Sequence, residues 1–231
     1  MISEMSERCQ TPKVTYITGP MSAGKTEKLH TKMGEFDSTH IHYVALKPIM
    51  DVRDAGIKPR GMSAIDGHEC IGFDQLGNVD IESLVLAGID TAVVDEAHMA
   101  GFDMDRQPLS DVYLPTMERW KRLGIVRVFM AGLDVAANGD RFRMYTDAKD
   151  FGAKIVHLTA KCEYPIDPDE NRPTCREVAK RSQIFELASG KPFYRGSLPS
   201  ILPAGSRDDI GFRPVCQEHY ALLRSDTIDF S

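Results

Sequence analysis

Short apolar runs, rich in β-branched residues, recur along the first two thirds of the chain, and each ends in a glycine, a proline or an acid. Val14–Ile17 runs into Gly19-Pro20, Ile41–Leu46 into Lys47-Pro48, Thr91–Val94 into Asp95-Glu96, and Ile125–Met130 into Ala131-Gly132-Leu133-Asp134; Lys154–Leu158 closes the series. These runs are nearly continuous rather than alternating, as expected of strands covered on both faces in a parallel sheet. Helical spacing fills the intervals: Lys25 to about Phe36, Val79 to Ala87 before Gly88, and Leu109 to Leu123, with Pro115 marking the first true turn. Cys70–Phe73 reads as one more short strand. Strands alternating with helices predict an α/β domain with a mostly parallel sheet. Ile49–Gly67, rich in Asp, Arg, Gly and Pro, reads as a long loop and a candidate lid.

The periodicity fades after Thr159. Residues 1–159 are therefore read as an α/β nucleotide-binding domain and 160–231 as a smaller lobe, in which Cys162–Tyr220 needs some tie other than a core of its own. The residues before Pro12 read as a loose polar tail.

Composition narrows the function classes. The 231 residues are 42% hydrophobic and 27% charged, ordinary for a globular protein. A net charge of −6 argues against a general nucleic-acid surface. No run is long enough for a membrane helix, and Met1-Ile2-Ser3-Glu4 opens no signal-peptide pattern, so the expectation is a cytoplasmic protein without a membrane partner. Five cysteines, an odd number, do not suit a disulfide framework, and in a reduced compartment clustered cysteines are more often metal ligands.

Three constellations carry chemistry. Gly19-Pro20-Met21-Ser22-Ala23-Gly24-Lys25-Thr26 fits G-x-x-x-x-G-K-[ST] between a predicted strand and a predicted helix. Gly19 and Gly24 let the backbone turn its N–H groups inward, and the helix adds its positive end. Lys25 can reach the β- and γ-phosphates of ATP, and the Thr26 hydroxyl can bind Mg²⁺. Asp95, at the carboxyl end of an apolar strand, would hold Mg²⁺ through water, and Glu96 offers a carboxylate to accept a proton from an attacking hydroxyl or water. Asp95-Glu96-Ala97-His98 also spells a helicase box, which would require tandem motor domains and nucleic-acid contacts. Finally, Cys216-Gln217-Glu218-His219 is a C-x-x-H knuckle, and Cys162 with Cys175 completes a Cys₃His set of the kind that holds structural Zn²⁺, although the first pair is spaced C-x₁₂-C around an acidic insert. Cys9 and Cys70 have no partner pattern.

From Val14 to Tyr220 the chain resembles the zinc-containing thymidine kinases of bacteria, animal cytosol, large DNA viruses and phages. The resemblance rests on Gly19-Pro20-Met21 through Lys25-Thr26, on Lys47-Pro48 with Asp51 and Arg53, and on Asp95-Glu96-Ala97. It continues through Ala131-Gly132-Leu133-Asp134, Phe142, Leu158-Thr159-Ala160-Lys161-Cys162 and Pro214-Val215-Cys216 through His219-Tyr220. It implies a P-loop core, a zinc lobe, and a long lasso loop between Cys175 and Cys216 that covers the nucleoside. The implied activity is transfer of the γ-phosphate of ATP to the 5′-hydroxyl of thymidine by a homo-oligomer, a tetramer or dimer. By position, Glu96 corresponds to the general base, Arg53 to an arginine near the transferring phosphate, and Lys25, Thr26 and Asp95 to the phosphate and Mg²⁺ ligands.

The nucleoside pocket departs from the family pattern. His98 and Met99 stand where the family has Gln and Phe, Ala137 is near a family Phe, Ala179 replaces a Thr, and Phe212 replaces a Tyr, while Met21, Leu133 and Phe142 remain. Fewer aromatic walls leave less surface against a base, and Phe212 lacks the tyrosine hydroxyl. The residues alone leave room for a kinase of another or modified pyrimidine deoxynucleoside, for a P-loop ATPase acting on nucleic acid, and for a non-catalytic nucleotide binder.

Overall fold

The protein is described by a computed structural model that covers residues 12–51, 56–57, 68–103, 107–109, 111–165, 174–199, 201–202, 207–220 and 227–229. Its centre is a sheet of six parallel strands. These are β1 (Lys13–Thr18), β2 (Tyr43–Pro48), β5 (Ile71–Phe73), β6 (Thr91–Val94), β7 (Arg127–Gly132) and β8 (Lys154–His157), in the order β5-β2-β6-β7-β1-β8.

Both faces of the sheet are buried, which is why its strands read as continuous apolar runs. Val14, Tyr16, Val44, Leu46, Ala92, Val94, Val128 and Met130 point to one face, and Ile17, Ala45, Val93 and Ala131 to the other. Helix α1 (Lys25–Ser38) covers the second face with Leu29, Met33 and Phe36, spaced one and two helical turns apart. The first face is covered by α2 (Ile81–Leu86), α3 (Tyr113–Leu123) and α4 (Arg143–Asp150), through Ile81, Tyr113, Met117, Trp120, Met144, Tyr145 and Ala148.

Several boundaries move from their expected places. Strands β2 and β7 start two residues later than the apolar runs and end at Pro48 and Gly132. Asp80 caps α2 by accepting the Ser83 amide at 3.2 Å, so that helix starts at Ile81 and not at Val79. Pro115 is the third residue of α3, inside the first turn, where its missing N–H costs nothing. Helix α4 was not expected, because its short span carries only three buried positions among charges. Of the expected lid, β3 (Gly56–Ile57) pairs antiparallel with β4 (His68–Glu69), and Ile57 is buried under α1. The rest of that loop, 52–55 and 58–67, lies outside the described residues, as do Cys9 and the polar tail before Pro12.

The small lobe has more order than its sequence suggests. Among the described residues between Cys175 and Cys216 there are three strands. β10 (Val178–Ala179) pairs with β9 (Ala160–Lys161), and β11 (Arg181–Glu186) pairs antiparallel with β12 (Ile210–Val215) in register from Arg181↔Val215 to Glu186↔Ile210. Among the described residues, 187–199, 201–202 and 207–209 of the connection lie off this ladder. The chain then enters α5 (Gln217–Tyr220), directly after Cys216.

Candidate active site

Parallel strands place all their carboxyl ends along one edge, and the loops there form the crevice of an open α/β sheet. The Gly19–Thr26 loop follows β1, Asp95-Glu96 follows β6, and Leu133-Asp134 follows β7, the strand between them. Gly19 approaches its neighbour so closely that a Cβ there would lie 2.4 Å from the Leu158 carbonyl oxygen, which explains the glycine at the first loop position. Gly24, with φ 80°, turns the chain into α1 in a left-handed conformation.

Within the loop, Lys25 Nζ donates to the Gly19 and Pro20 carbonyls at 3.0 and 2.8 Å. The Thr26 hydroxyl lies 3.4 and 3.3 Å from Asp95 Oδ1 and Oδ2. A hydroxyl and a carboxylate facing each other beside a phosphate loop are the donor set that Mg²⁺ takes, usually with several waters retained. Asp95 Oδ1 also accepts the Glu96 amide at 3.0 Å. Glu96 has φ 48° and ψ 38°, a left-handed conformation uncommon for a residue with a long side chain, and such strained residues cluster at functional sites.

Behind Glu96, His98 is buried and packs edge-on to Phe142, with centroids 4.7 Å apart. Its Nδ1 accepts the Leu133 amide at 3.3 Å and lies 3.5 Å from Glu96 Oε2. A nitrogen that accepts from an N–H carries no proton to give, so the Leu133 bond excludes a simultaneous His98–Glu96 ion pair through that atom. His98 thus packs against Phe142 and bonds the Leu133 backbone. Burial raises the Tyr16 hydroxyl well above its ordinary range, with Asp134 and Glu96 adding to the effect, so it stays a donor, directed at the Leu133 carbonyl at 3.4 Å. At the end of β2, Lys47 and Asp51 form a buried ion pair at 3.2 Å.

The expected nucleoside residues divide into groups. Met99, Leu133 and Phe142 share one apolar cluster with Phe102, Ala136 and Ile201, the last contributed by the 187–209 connection. Met21 sits in the phosphate loop, and its amide donates to Ser182 Oγ at 2.9 Å. Ala179 is buried with Cys162, Val215, Cys216 and Tyr220, and Phe212 packs against Ile184, Phe193, Leu198 and Ile210, so both belong to the small lobe. Ala137, with no aromatic ring at that place, borders a cavity of about 330 Å³ that is also lined by Asn138, Gln183, Phe193, Arg195 and Tyr220. Arg53 lies outside the described residues.

The cysteine expectation meets a clear geometric test. Ligand atoms of Cys162, Cys175, Cys216 and His219 all lie within 4.8 Å of one another. His219 Nδ1 points at the Cys162 and Cys216 sulfurs from 3.4 and 3.3 Å, and Tyr164 stacks flat on its ring at 4.3 Å. Three thiols and an imidazole nitrogen converging in this way fit a four-coordinate Zn²⁺. The wide C-x₁₂-C spacing is closed by the backbone: Cys175 N–H donates to the Tyr164 carbonyl at 3.0 Å and Arg176 N–H to the Cys162 carbonyl at 2.9 Å. No motif or period marks Ser182, Gln183 or Arg213, buried polar side chains that tie the lobe together.

A glycine-cornered loop between a parallel strand and a helix, facing an Asp-Glu pair at the end of a nearby strand, defines a P-loop nucleotide-binding fold, here carrying a Cys₃His lobe. The thymidine kinase family model matches residues 12–184. The chain belongs to that family and is a phosphotransferase. A thymidine kinase of Pyrobaculum aerophilum is 26% identical over 214 residues, 89% of this chain and 97% of that one. Another, from Coprothermobacter proteolyticus, is 26% identical over 191 residues, 82% of each chain. The genome packaging NTPase B204 of Sulfolobus turreted icosahedral virus 2, 14% identical, superposes with a TM-score of 0.32 over 53% of this chain and 66% of that one, a likeness too loose to carry an argument. Among the described residues no helix is long and apolar enough to cross a membrane.

Proposed function

We infer that this enzyme transfers the γ-phosphoryl group of ATP to the 5′-hydroxyl of thymidine. The observation that carries the reading is the meeting of Lys25, Thr26, Asp95 and Glu96 at one sheet edge in a chain of this family. Phosphoryl transfer asks little covalent chemistry of a protein and much positioning and charge neutralisation. The amides from Ser22 to Thr26 and the end of α1 cradle the phosphates. Lys25 exchanges its bonds to the Gly19 and Pro20 carbonyls for phosphate oxygens. Thr26 and Asp95 are the residues that would hold Mg²⁺, which supplies neutralising charge to the transferred group. Glu96 accepts the proton of the 5′-hydroxyl as the oxygen attacks phosphorus and the bond to the leaving ADP breaks. Arg53 is expected to reach the same phosphate.

The thymine ring is assigned to the cluster of Met99, Leu133 and Phe142, under Ile201, and Met21, Ala179 and Phe212 keep the substrate-binding role that the resemblance implies for them. Cys162, Cys175, Cys216 and His219 would hold a structural Zn²⁺ that ties the lobe together. A cytoplasmic dimer or tetramer that acts on a small nucleoside and not on nucleic acid completes the reading.

The test is a panel of pyrimidine deoxynucleosides incubated with ATP and Mg²⁺, with monophosphates separated by chromatography. Thymidine is expected to be the best acceptor. Hydrolysis of ATP stimulated by single-stranded DNA without any nucleoside monophosphate would overturn the reading, as would ATP binding with no product at all.

A further inference from the structure

The Ser182 hydroxyl joins the two halves of the molecule. It accepts the Met21 amide of the phosphate loop at 2.9 Å across 161 positions of sequence, and Ser182 is buried. Ser182 and Gln183 are successive residues of β11, so their side chains point to opposite sides of the ladder. On the far side, Gln183 Oε1 accepts from Arg213 Nε at 3.0 Å, and Gln183 Nε2 donates to the carbonyl of His219 at 3.2 Å. Arg213 in turn donates to the Gly190 carbonyl at 3.0 Å, just after the chain leaves β11 for the 187–209 connection. Its guanidinium lies over the rings of Tyr164 and Phe185, at 4.7 and 4.4 Å from their centroids. One strand therefore grips the phosphate loop with one side chain and the metal cluster and lasso with the next. Farther along the lasso, Ile201 rests on Met99, Phe102 and Phe142.

A buried amide must find an acceptor or lose the stability of a hydrogen bond. With the Met21 amide committed to Ser182 at 2.9 Å and the Ala23 amide to the Pro20 carbonyl at 3.3 Å, the phosphate loop is tied both to itself and to β11.

We propose that Ser182 is a positioning residue that fixes the phosphate loop against β11 and couples nucleotide binding to the order of the lasso. This rests on the reading that the Gly19–Thr26 loop holds ATP. Ser182 touches a backbone amide and no reacting atom, so its effect belongs to binding and coupling. Coupling of this kind is reciprocal: whatever orders the lasso tightens the hold on nucleotide by the same factor.

The experiment compares full-length, metal-replete wild type with Ser182→Thr, which keeps the hydroxyl, Ser182→Val, which has nearly the shape of Thr without it, and Ser182→Ala. Two quantities are read: calorimetric affinity for a non-hydrolysable ATP analogue with Mg²⁺, and hydrogen exchange of residues 187–199 with and without that analogue. The Val and Ala variants are expected to bind roughly fivefold more weakly, the order of one net hydrogen bond, and to lose the protection that the analogue gives to 187–199. Thr is expected to behave as wild type. If Val does not fold, the Ala and Thr pair carries the comparison. Val and Ala variants that melt earlier yet bind and protect like wild type would reduce Ser182 to a structural role and overturn the proposal, as would a wild type in which the analogue protects nothing in 187–199. Neither readout uses thymidine, so a wild type that binds the analogue but phosphorylates no thymidine defeats the proposed function and leaves the Ser182 measurement standing.

Discussion

Glu96→Gln is the substitution that separates chemistry from binding at this site. It replaces one carboxylate oxygen with an amide nitrogen at almost constant volume. Glu96 holds φ 48° and ψ 38°, a strain that Glu and Gln bear alike, and its bond to Asp95 is made by the backbone amide at 3.0 Å, which survives the change. The side chain is 14% exposed and its near neighbour, His98 Nδ1, accepts from Leu133, so no ion pair through that nitrogen is lost. Fold stability is therefore expected to change by less than about 0.5 kcal/mol, the usual range away from packing and network sites. Lys25, proposed to hold the phosphates, and Thr26 and Asp95, proposed to hold Mg²⁺, are untouched, so affinity for ATP should stay within about twofold.

What is lost, on the proposed mechanism, is the proton acceptor. Removal of a general base lowers turnover by roughly 10²- to 10⁴-fold, or about 2.7–5.4 kcal/mol at 1.36 kcal/mol per decade. The assay is ADP release coupled to a dehydrogenase, with thymidine saturating, beside calorimetric titration of a non-hydrolysable ATP analogue on the same preparation. The ascending limb of the wild-type pH–rate profile, which reports the base, should vanish in the variant. Undiminished turnover would remove Glu96 from the chemistry, and a parallel fall in ATP affinity would mean that it serves the nucleotide instead.

Cys216→Ser should release one Zn²⁺ per chain and loosen the β11–β12 ladder, read by metal analysis and hydrogen exchange; folded wild type with no zinc would refute the assignment. Gly19→Ala should cut affinity for ATP by more than about tenfold, because its Cβ would sit 2.4 Å from the Leu158 carbonyl and either the loop or the end of β8 must move. Gly34→Ala, on the same helix as Lys25 but with nothing within 4 Å of the added Cβ, should instead stabilise the fold by about 0.5–1 kcal/mol in thermal unfolding. The Asp80 carboxylate is held below its ordinary value of 3.8, first by the Ser83 hydroxyl and then by the Ser83 amide. A depressed carboxylate stabilises the folded state above its unfolded pKa and loses that contribution as pH falls through the folded one. Asp80→Ala should therefore lower the melting temperature at neutral pH and narrow its gap to wild type on acidification below pH 3.8.

The phosphate site was legible in the chain because it is local. A strand, a glycine-cornered loop and a helix lie within 26 contiguous residues of β1 and α1, 13–38, and every requirement of the motif is met by near neighbours in sequence. The parallel sheet was legible for a related reason: strands covered on both faces leave uninterrupted apolar runs, and those runs need no knowledge of their partners. The Cys₃His set could be named because thiols and imidazole advertise their chemistry, but the convergence of Cys162 with His219 across 57 positions was a matter of packing.

Elsewhere the tertiary structure decided. The β11–β12 ladder is short and mixes Ser182, Gln183 and Arg213 with apolar residues, so no period marks it; those polar groups are buried only because they satisfy one another and the neighbouring backbone. The cluster of Met99, Leu133, Phe142 and Ile201 draws on loops after three different elements. The bond from Met21 to Ser182 joins residues 161 apart. Periodicity reports which face of one element is dry, and a motif reports chemistry carried by adjacent residues. Neither can report which distant hydroxyl will stand opposite a loop amide, because that is set by how the lobe docks on the sheet edge.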